Sequence, residues 1–289
     1  GVEREQPRPD PIDTGDLDRP WSVPVGGPSP ETLLLSNGEY SVLVTAAGAG
    51  HSSFGDVAIT RQLTDGTLED RGAFVYIHDR EDDQLWSVTH QPCGGAADDR
   101  VEFAPHKATF TRLVNGVLSR LEVVVGEGAA ELRRVTLINQ SDRPRRLKLT
   151  SYAEVVIGDA AGDRRHPAFS KLFVESSYLK EHGALLFRRR PRSSSEQALY
   201  AAHALVAGSH GDPPEGLEYE SDRAAFLGRG LSVQAPLGAR ETLQGNVGAT
   251  LDPVMALASP VELPPHSQKT FTFVTAFGES RQQLLDTLE

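Results

Sequence analysis

The chain has 289 residues, enough for one large β domain or two ordinary ones, and 38% of them are apolar. Its formal net charge of −11 excludes a nucleic-acid partner, which would need a basic face to neutralise phosphates. A single cysteine, Cys93, rules out an intramolecular disulfide, no apolar run approaches the ~20 residues of a membrane-spanning helix, and no signal-peptide pattern opens the chain.

Residues 1–30 are polar, rich in Pro and Gly and without periodicity, which predicts an extended lead-in anchored by Trp21. From Leu33 onward the chain alternates, and Gly and Pro, 46 residues over the whole chain, imply many turns. "GAGHSSFGDVAITR" (Gly48 to Arg61) concentrates glycines, a histidine, two serines and a carboxylate. "HDREDDQ" (His78 to Gln84) reads as a solvated hairpin tip, because it lacks the central glycine and distal glutamate of a calcium loop. "ATFTRLVNGVLSRLEVVV" places Asn115-Gly116 between two alternating runs and predicts a tight hairpin. A second hairpin turns at Ser141 to Pro144 and leads into "RRLKLTSYAEVVI". There Leu147, Leu149, Ala153, Val155 and Ile157 share one face, with Arg146, Lys148, Thr150, Tyr152 and Glu154 on the other, the pattern of a half-buried antiparallel strand. "FRRRPR" (Phe187 to Arg192) reads as a solvated turn, and "KTFTFVTAFG" as a further strand. At residues 279–289, Ser280 and Gln283 form a capping box ahead of Leu284, Leu285 and Leu288, so a helix begins there and is expected to continue into a further domain. A dozen or more strands favour two stacked antiparallel sheets over a small barrel, an all-β fold with a C-terminal helix.

The opening candidate for chemistry fails on spacing. A nucleophile elbow needs G-x-S-x-G between strand and helix, whereas Gly50 to Gly55 sets the second glycine one position late and alternation resumes in "VAITR". A dinucleotide loop needs a third glycine where Ser53 stands. The nine histidines never recur at i+2 or i+4 and no Cys-x-x-Cys exists, so no metal site is expected, and Cys93 reads as an ordinary thiol. Glycosidase-type paired carboxylates cannot be selected among 40 acidic residues without geometry.

Three stretches occur in a fixed order: "LSNGEYSVLVTAAGAGHSSFGDVAITR", then "TSYAEVVI" with "HPAFSKLFVES", then "YESDRAAFLGRG". Together with "NVGATLDPVMAL" and the terminal "ESRQQLLDTLE", they resemble the amino-terminal β domain of the phosphorylase-like region of cyclic β-1,2-glucan synthases. That region is grouped in glycoside hydrolase family 94 (formerly glycosyltransferase family 36) beside cellobiose and chitobiose phosphorylases. The resemblance implies a galactose-mutarotase-like β-supersandwich over residues 31–278 and the start of a linker helix at 279–289 toward an (α/α)6 barrel. In the family that barrel carries the general acid and the phosphate ligands, so this chain is expected to hold no catalytic residue, no metal and no cofactor, inorganic phosphate serving only the barrel.

The implied role is a non-catalytic domain supporting assembly, and substrate binding, of a cyclic β-1,2-glucan synthase or inverting β-glucan phosphorylase; a free-standing sugar-binding or mutarotase-like protein is the alternative. Within the matched motifs, His166, Phe169, Ser170 and Lys171 combine a stacking face with polar donors, the usual means of holding a sugar, although Lys171 stands where asparagine is more often expected. Asp222 with Arg223 or Arg229 reads as an internal ion pair fixing a loop, the alternative being an arginine that reaches sugar or phosphate at the domain interface, and Ser52 and Asp56 are placed in a loop at the barrel-facing edge. Expected partners are a β-glucan or oligosaccharide, the barrel and a second copy of the chain, on the cytoplasmic side of an inner-membrane parent.

Overall fold

A computed structural model describes residues 19–288 apart from 28, 63, 64, 66, 67, 195, 209 and 210. In chain order the strands begin with β1 (Trp21–Val23), β2 (Thr32–Ser36), β3 (Tyr40–Thr45), β4 (Gly50–Phe54), β5 (Val57–Thr60), β6 (Phe74–Asp79) and β7 (Gln84–Ser87). Next come β8 (Asp98–Ala104), β9 (Lys107–Val114), β10 (Val117–Val125), β11 (Ala130–Asn139) and the long β12 (Arg145–Asp159). Two short helices, α1 (Ala160–Arg165) and α2 (Pro167–Lys171), precede β13 (Val174–Leu179), β14 (Ala184–Arg189), β15 (Leu199–Ala207) and β16 (Glu218–Asp222). The chain continues through α3 (Arg223–Leu227), α4 (Leu237–Arg240), β17 (Pro253–Leu263), β18 (Gln268–Gly278) and α5 (Arg281–Leu288). Most of the expected lead-in, residues 1–18, lies outside the described residues; Trp21 belongs to β1, which pairs with β8 and sets its ring edge-on to Phe103 at 6.3 Å.

The strands form two antiparallel sheets. The first runs β1-β8-β9-β10-β11-β18-β15-β14-β13, and the second β16-β17-β12-β5-β4-β3-β2 with β6 and β7 joined to β12. Local chemistry accounts for the hairpins: Asn115 and Gly116 both sit at positive φ (51° and 76°), the geometry that a two-residue turn between β9 and β10 requires. Facing sheets bury Val42, Ile59, Leu149, Phe110, Phe187 and Phe273 between them. Each such side chain contributes about 1.5–3 kcal/mol relative to exposure, so the inner faces alone justify the two-layer arrangement.

Strand β12 departs from the half-buried pattern. Its inner residues lie in the main core, but Lys148, Thr150 and Tyr152 on the other face are buried as well. The segment carrying α3 and α4 covers them: Phe226 stacks on Tyr152 at 4.7 Å, and Lys148 Nζ donates to Glu218 at 2.8 Å and to the Gly238 carbonyl at 3.2 Å. The C-terminal helix starts where the capping box places it, Ser280 Oγ accepting from the Gln283 amide at 3.2 Å; Leu284 is fully buried against Ala130, Leu186, Ala202 and Ala276, while Leu285 and Leu288 are only half-buried.

Polar cross-links join the sheets inside the sandwich. His203 on β15 bonds Ser151 of β12 at 2.9 Å and Thr275 of β18 at 3.0 Å. Burial, aided by Arg133, pushes the His203 pKa down to about 3 from an ordinary 6.5. The folded state therefore refuses a proton that the unfolded chain accepts, so stability is fully present above about pH 6.5 and is lost as pH falls below it. Urea midpoints taken from pH 7.5 to 4.5 should decline less steeply in His203→Gln than in the parent chain; identical slopes would mean that His203 does not carry this dependence.

Candidate functional site

The residues with the most to offer a ligand lie where β12 ends. Ile157 at φ 47° interrupts the β12–β5 register, and Asp159 then caps α1 by accepting from the amides of Ala161 (3.1 Å) and Gly162 (2.6 Å). Pro167 opens α2 with its φ already helical. The two helices pack on β12 and border a cleft of about 380 Å³, with His166, Phe169, Ser170, Asp163, Arg189 and Glu196 among its walls. His166 is exposed at the joint between the helices, and Phe169 is 55% exposed, edge-on to Phe173 at 5.1 Å. Ser170 is buried, its carbonyl accepting from Arg189 Nη1 at 3.0 Å.

Lys171 faces away from this cleft's chemistry. Its ammonium pairs with Asp252 at 2.6 Å, and Asp252 lies 3.9 Å from the Arg223 guanidinium. Arg223 in turn reaches Glu154 at 3.3 Å and accompanies the Tyr152 hydroxyl at 3.2 Å. The expected Asp222–Arg223 pair does not form, because Asp222 is spent capping α3 through the amides of Ala224 and Ala225. Arg61 completes the network, with Nε 2.5 Å from Glu154 and Nη1 2.5 Å from Asp163. Burial pushes the Glu154 carboxyl up, but Arg61, Arg223 and Arg71 outweigh it and hold its pKa below the ordinary value. Glu154 is thus an ionised anchor, not a proton donor.

The remaining sequence candidates fall elsewhere. Arg229 is exposed and, among the described residues, makes no ion pair; it lies outside both the cleft lining and the network. "GAGHSSFGD" is not a loop at a sheet edge but the β4–β5 hairpin, flanked by β3 and β12. Alternation turns Ser52 into the core, where its hydroxyl donates to Glu131 at 2.6 Å, and Glu131 accepts from Arg133 at 3.1 Å. Among the described residues no histidine hydrogen-bonds Ser52, whose hydroxyl is taken by Glu131, so they form no nucleophile triad there. Asp56 sits exposed in the connecting turn and, among the described residues, is bonded neither to a backbone amide nor to an arginine. Gly50 shows why glycine is needed in the stretch: a Cβ would meet the Leu43 carbonyl oxygen at 1.9 Å.

Two readings of charged segments resolve differently. The acids of "HDREDDQ" do stand at the β6–β7 hairpin tip, each matched by a cation: Asp79 with Arg145 (2.7 Å), Glu81 with Arg146 (3.2 Å), Asp82 with Arg143, and Asp83 with Arg240 (2.7 Å). "FRRRPR" is not a solvated turn at its start, since β14 runs through Arg189 and its alternation buries that residue between exposed Arg188 and Arg190. Cys93 is half-buried, and burial pushes its thiol up to about 11, so it is an inert thiol.

Two stacked nine-stranded sheets with a C-terminal helix and a helical cleft on one rim define a β-supersandwich domain. Residues 24–289 match the family described as "Glycosyl hydrolase 94, supersandwich domain", and the chain belongs to that family. It is 34% identical over 256 residues to the cyclic beta-(1,2)-glucan synthase NdvB of Rhizobium meliloti, covering 87% of this chain and 9% of that protein. It is 22% identical to an N,N'-diacetylchitobiose phosphorylase of Vibrio furnissii, covering 89% of this chain and 32% of that one. Among solved structures, a bacterial glucoamylase complexed with acarbose aligns with a TM-score of 0.54 at 12% identity, over 91% of this chain and 36% of the other, a likeness of fold alone.

The Ser52–Glu131 bond makes Ser52 structural. Ser52→Ala should lower unfolding free energy by about 1–3 kcal/mol, because it strips one partner from a buried carboxylate. Asp56→Ala should stay within about 0.5 kcal/mol. Paired urea titrations check both, and equal stabilities would contradict the assignment.

Proposed function

We propose that this chain is a non-catalytic domain of an enzyme that builds or phosphorolyses β-linked glucans, and that its α1–α2 cleft binds part of the substrate while the surrounding face supports assembly with an (α/α)6 catalytic barrel. The observation that carries this reading is the state of the acids. Inverting phosphorolysis needs a carboxylic acid kept protonated to deliver a proton to the leaving oxygen. At the candidate site Glu154 and Glu196 are both held below the ordinary carboxylate range, Glu154 by Arg61 and Arg223 against its burial, and Glu196 by Arg192. Asp163 is bound to Arg61. These are anchors suited to holding a shape. The cleft, by contrast, offers an exposed aromatic wall in Phe169 beside polar groups, as sugar sites do.

On this reading the domain uses no cofactor, inorganic phosphate is a co-substrate of the barrel alone, and a second copy of the chain is a further partner. The whole protein works on the cytoplasmic side of an inner membrane. A mutarotase-like activity would need His166 and a free glutamate to converge in the cleft, and Glu196 is spent on Arg192 at 2.9 Å.

The purified chain should release no sugar 1-phosphate from β-1,2-gluco-oligosaccharides or cellobiose in phosphate buffer, and should leave glucose anomers interconverting at the buffer rate. In amide-resolved NMR, β-1,2-gluco-oligosaccharides should perturb residues 158–170. Sugar phosphate release that scales with protein concentration, or faster anomer exchange, would overturn the non-catalytic role.

A further inference from the structure

One wall of the cleft carries a charge with no counter-ion. Arg189 is only 8% exposed, yet no carboxylate lies within ion-pair distance of it among the described residues. Its hydrogen bonds all leave from Nη1, to the carbonyls of Ser170 (3.0 Å) and Val156 (3.4 Å) and to Ser170 Oγ (3.5 Å). Among the described residues Nε and Nη2 have no hydrogen-bond acceptor. The guanidinium lies 5.7 Å from the Phe173 ring centroid, and Gly158 is packed so tightly on it that a Cβ there would meet Arg189 Cζ at 3.1 Å. Buried guanidinium groups are ordinarily paired, because an uncompensated buried charge is strongly unfavourable.

None of the acids lining the same cleft pairs with Arg189. Asp159 accepts from the amides of Ala161 and Gly162, Glu196 pairs with Arg192, and Asp163 gives Oδ2 to Arg61 while its buried Oδ1 has no hydrogen-bond partner among the described residues. Burial, reinforced by Arg192, lowers the Arg189 pKa despite the more distant pull of Glu196 and Asp163. Arg192 and the exposed His166, whose ring makes no hydrogen bond among the described residues, border the same space. The cleft's volume of about 380 Å³ leaves room beyond an oxyanion for a sugar-sized body against Phe169.

We propose that the α1–α2 cleft is an oxyanion site, in which Arg189 with His166 receives the phosphoryl or carboxylate group of a small polar molecule. The ligand's oxygens take up the donors that Nη2 and Nε leave unused, in the forked geometry that arginine presents to oxyanions. The Nη1 bonds to Ser170 and Val156 hold the fork in place. This inference rests on reading the cleft as a ligand site and adds the class of ligand.

The test titrates the chain at constant low ionic strength with inorganic phosphate, glucose 6-phosphate, glucuronate and glucose, following amide shifts at residues 158–170 and 189–199. Phosphate or the charged sugars should bind saturably, glucose by itself far more weakly, and the ranking of glucose 6-phosphate against glucuronate separates a phosphoryl from a carboxylate ligand. Arg189→Lys keeps the charge but loses the fork and should weaken binding about tenfold or more. The exposed His166→Ala should weaken it several-fold without touching the fold. Two results would overturn the proposal: no saturable response to any anion, or a response unchanged in folded His166→Ala and Arg189→Lys. If neutral β-1,2-gluco-oligosaccharides shift the cleft while anions do not, the ligand site stands and the oxyanion assignment fails. If anions bind and neutral glucans do not, the oxyanion site stands and the neutral glucan reading fails.

Discussion

Strand β12 must satisfy two cores at once. Fifteen residues long, it pairs with β17 along one edge and with β6 and then β5 along the other. Its inner face meets the first sheet, and its outer face lies beneath α3 and α4. A strand buried on both faces cannot shift register by one residue without exchanging Leu149 and Ala153 for Lys148 and Tyr152, which belong to different chemistries. The position of every neighbouring element follows from that constraint. Because β12 is pinned for its whole length, the bulge at Ile157 delivers α1 and α2 to one defined place, and the cleft stands on a rigid support.

Charge is handled inside this domain by pairing rather than by exclusion. Lys148, Arg61, Arg112, Arg133 and Arg145 are all nearly inaccessible, and each meets at least one carboxylate: Glu218, Glu154 with Asp163, Asp99, Glu131, and Asp79 respectively. Buried pairs of this kind add little net stability over apolar residues of the same size, but breaking one is costly. Their value is geometric, since each ties two elements that are distant in sequence, as Arg61 ties β5 to β12 and α1. A scaffold that ionises its acids in this way is well suited to positioning a ligand or a neighbouring domain, and poorly suited to proton transfer. Arg189 stands out against that pattern as a buried cation at the cleft that pairs with no carboxylate among the described residues.

Much of the fold was legible in the chain. Alternation located β12 and β18, Asn115-Gly116 located a hairpin, and Ser280 located the start of α5, because each signal is local and its physics acts within a few residues. The candidate site was only partly legible. His166, Phe169 and Ser170 do share a cleft, found through a motif of consecutive residues. Arg61, Glu154, Asp163 and Arg189 were missed, although the period-two pattern of β14, extended two residues past Phe187, places Arg189 on the buried face.

By itself the sequence determined an all-β, two-sheet domain, its family, the Asn115-Gly116 turn, and the failure of the nucleophile-elbow and dinucleotide-loop spacings, all of which depend on spacing along the chain. Only the tertiary structure decided what the polar residues are for. Ser52 looked like a surface donor and is a core hydroxyl on Glu131; Asp222 looked like a partner for Arg223 and is a helix cap; Lys171 looked like a sugar donor and is bound to Asp252. A side chain's role depends on which charge or donor sits opposite it, and in stacked antiparallel sheets that neighbour comes from a strand scores of residues away. Local pattern can tell which way a side chain points; only packing supplies what it meets there.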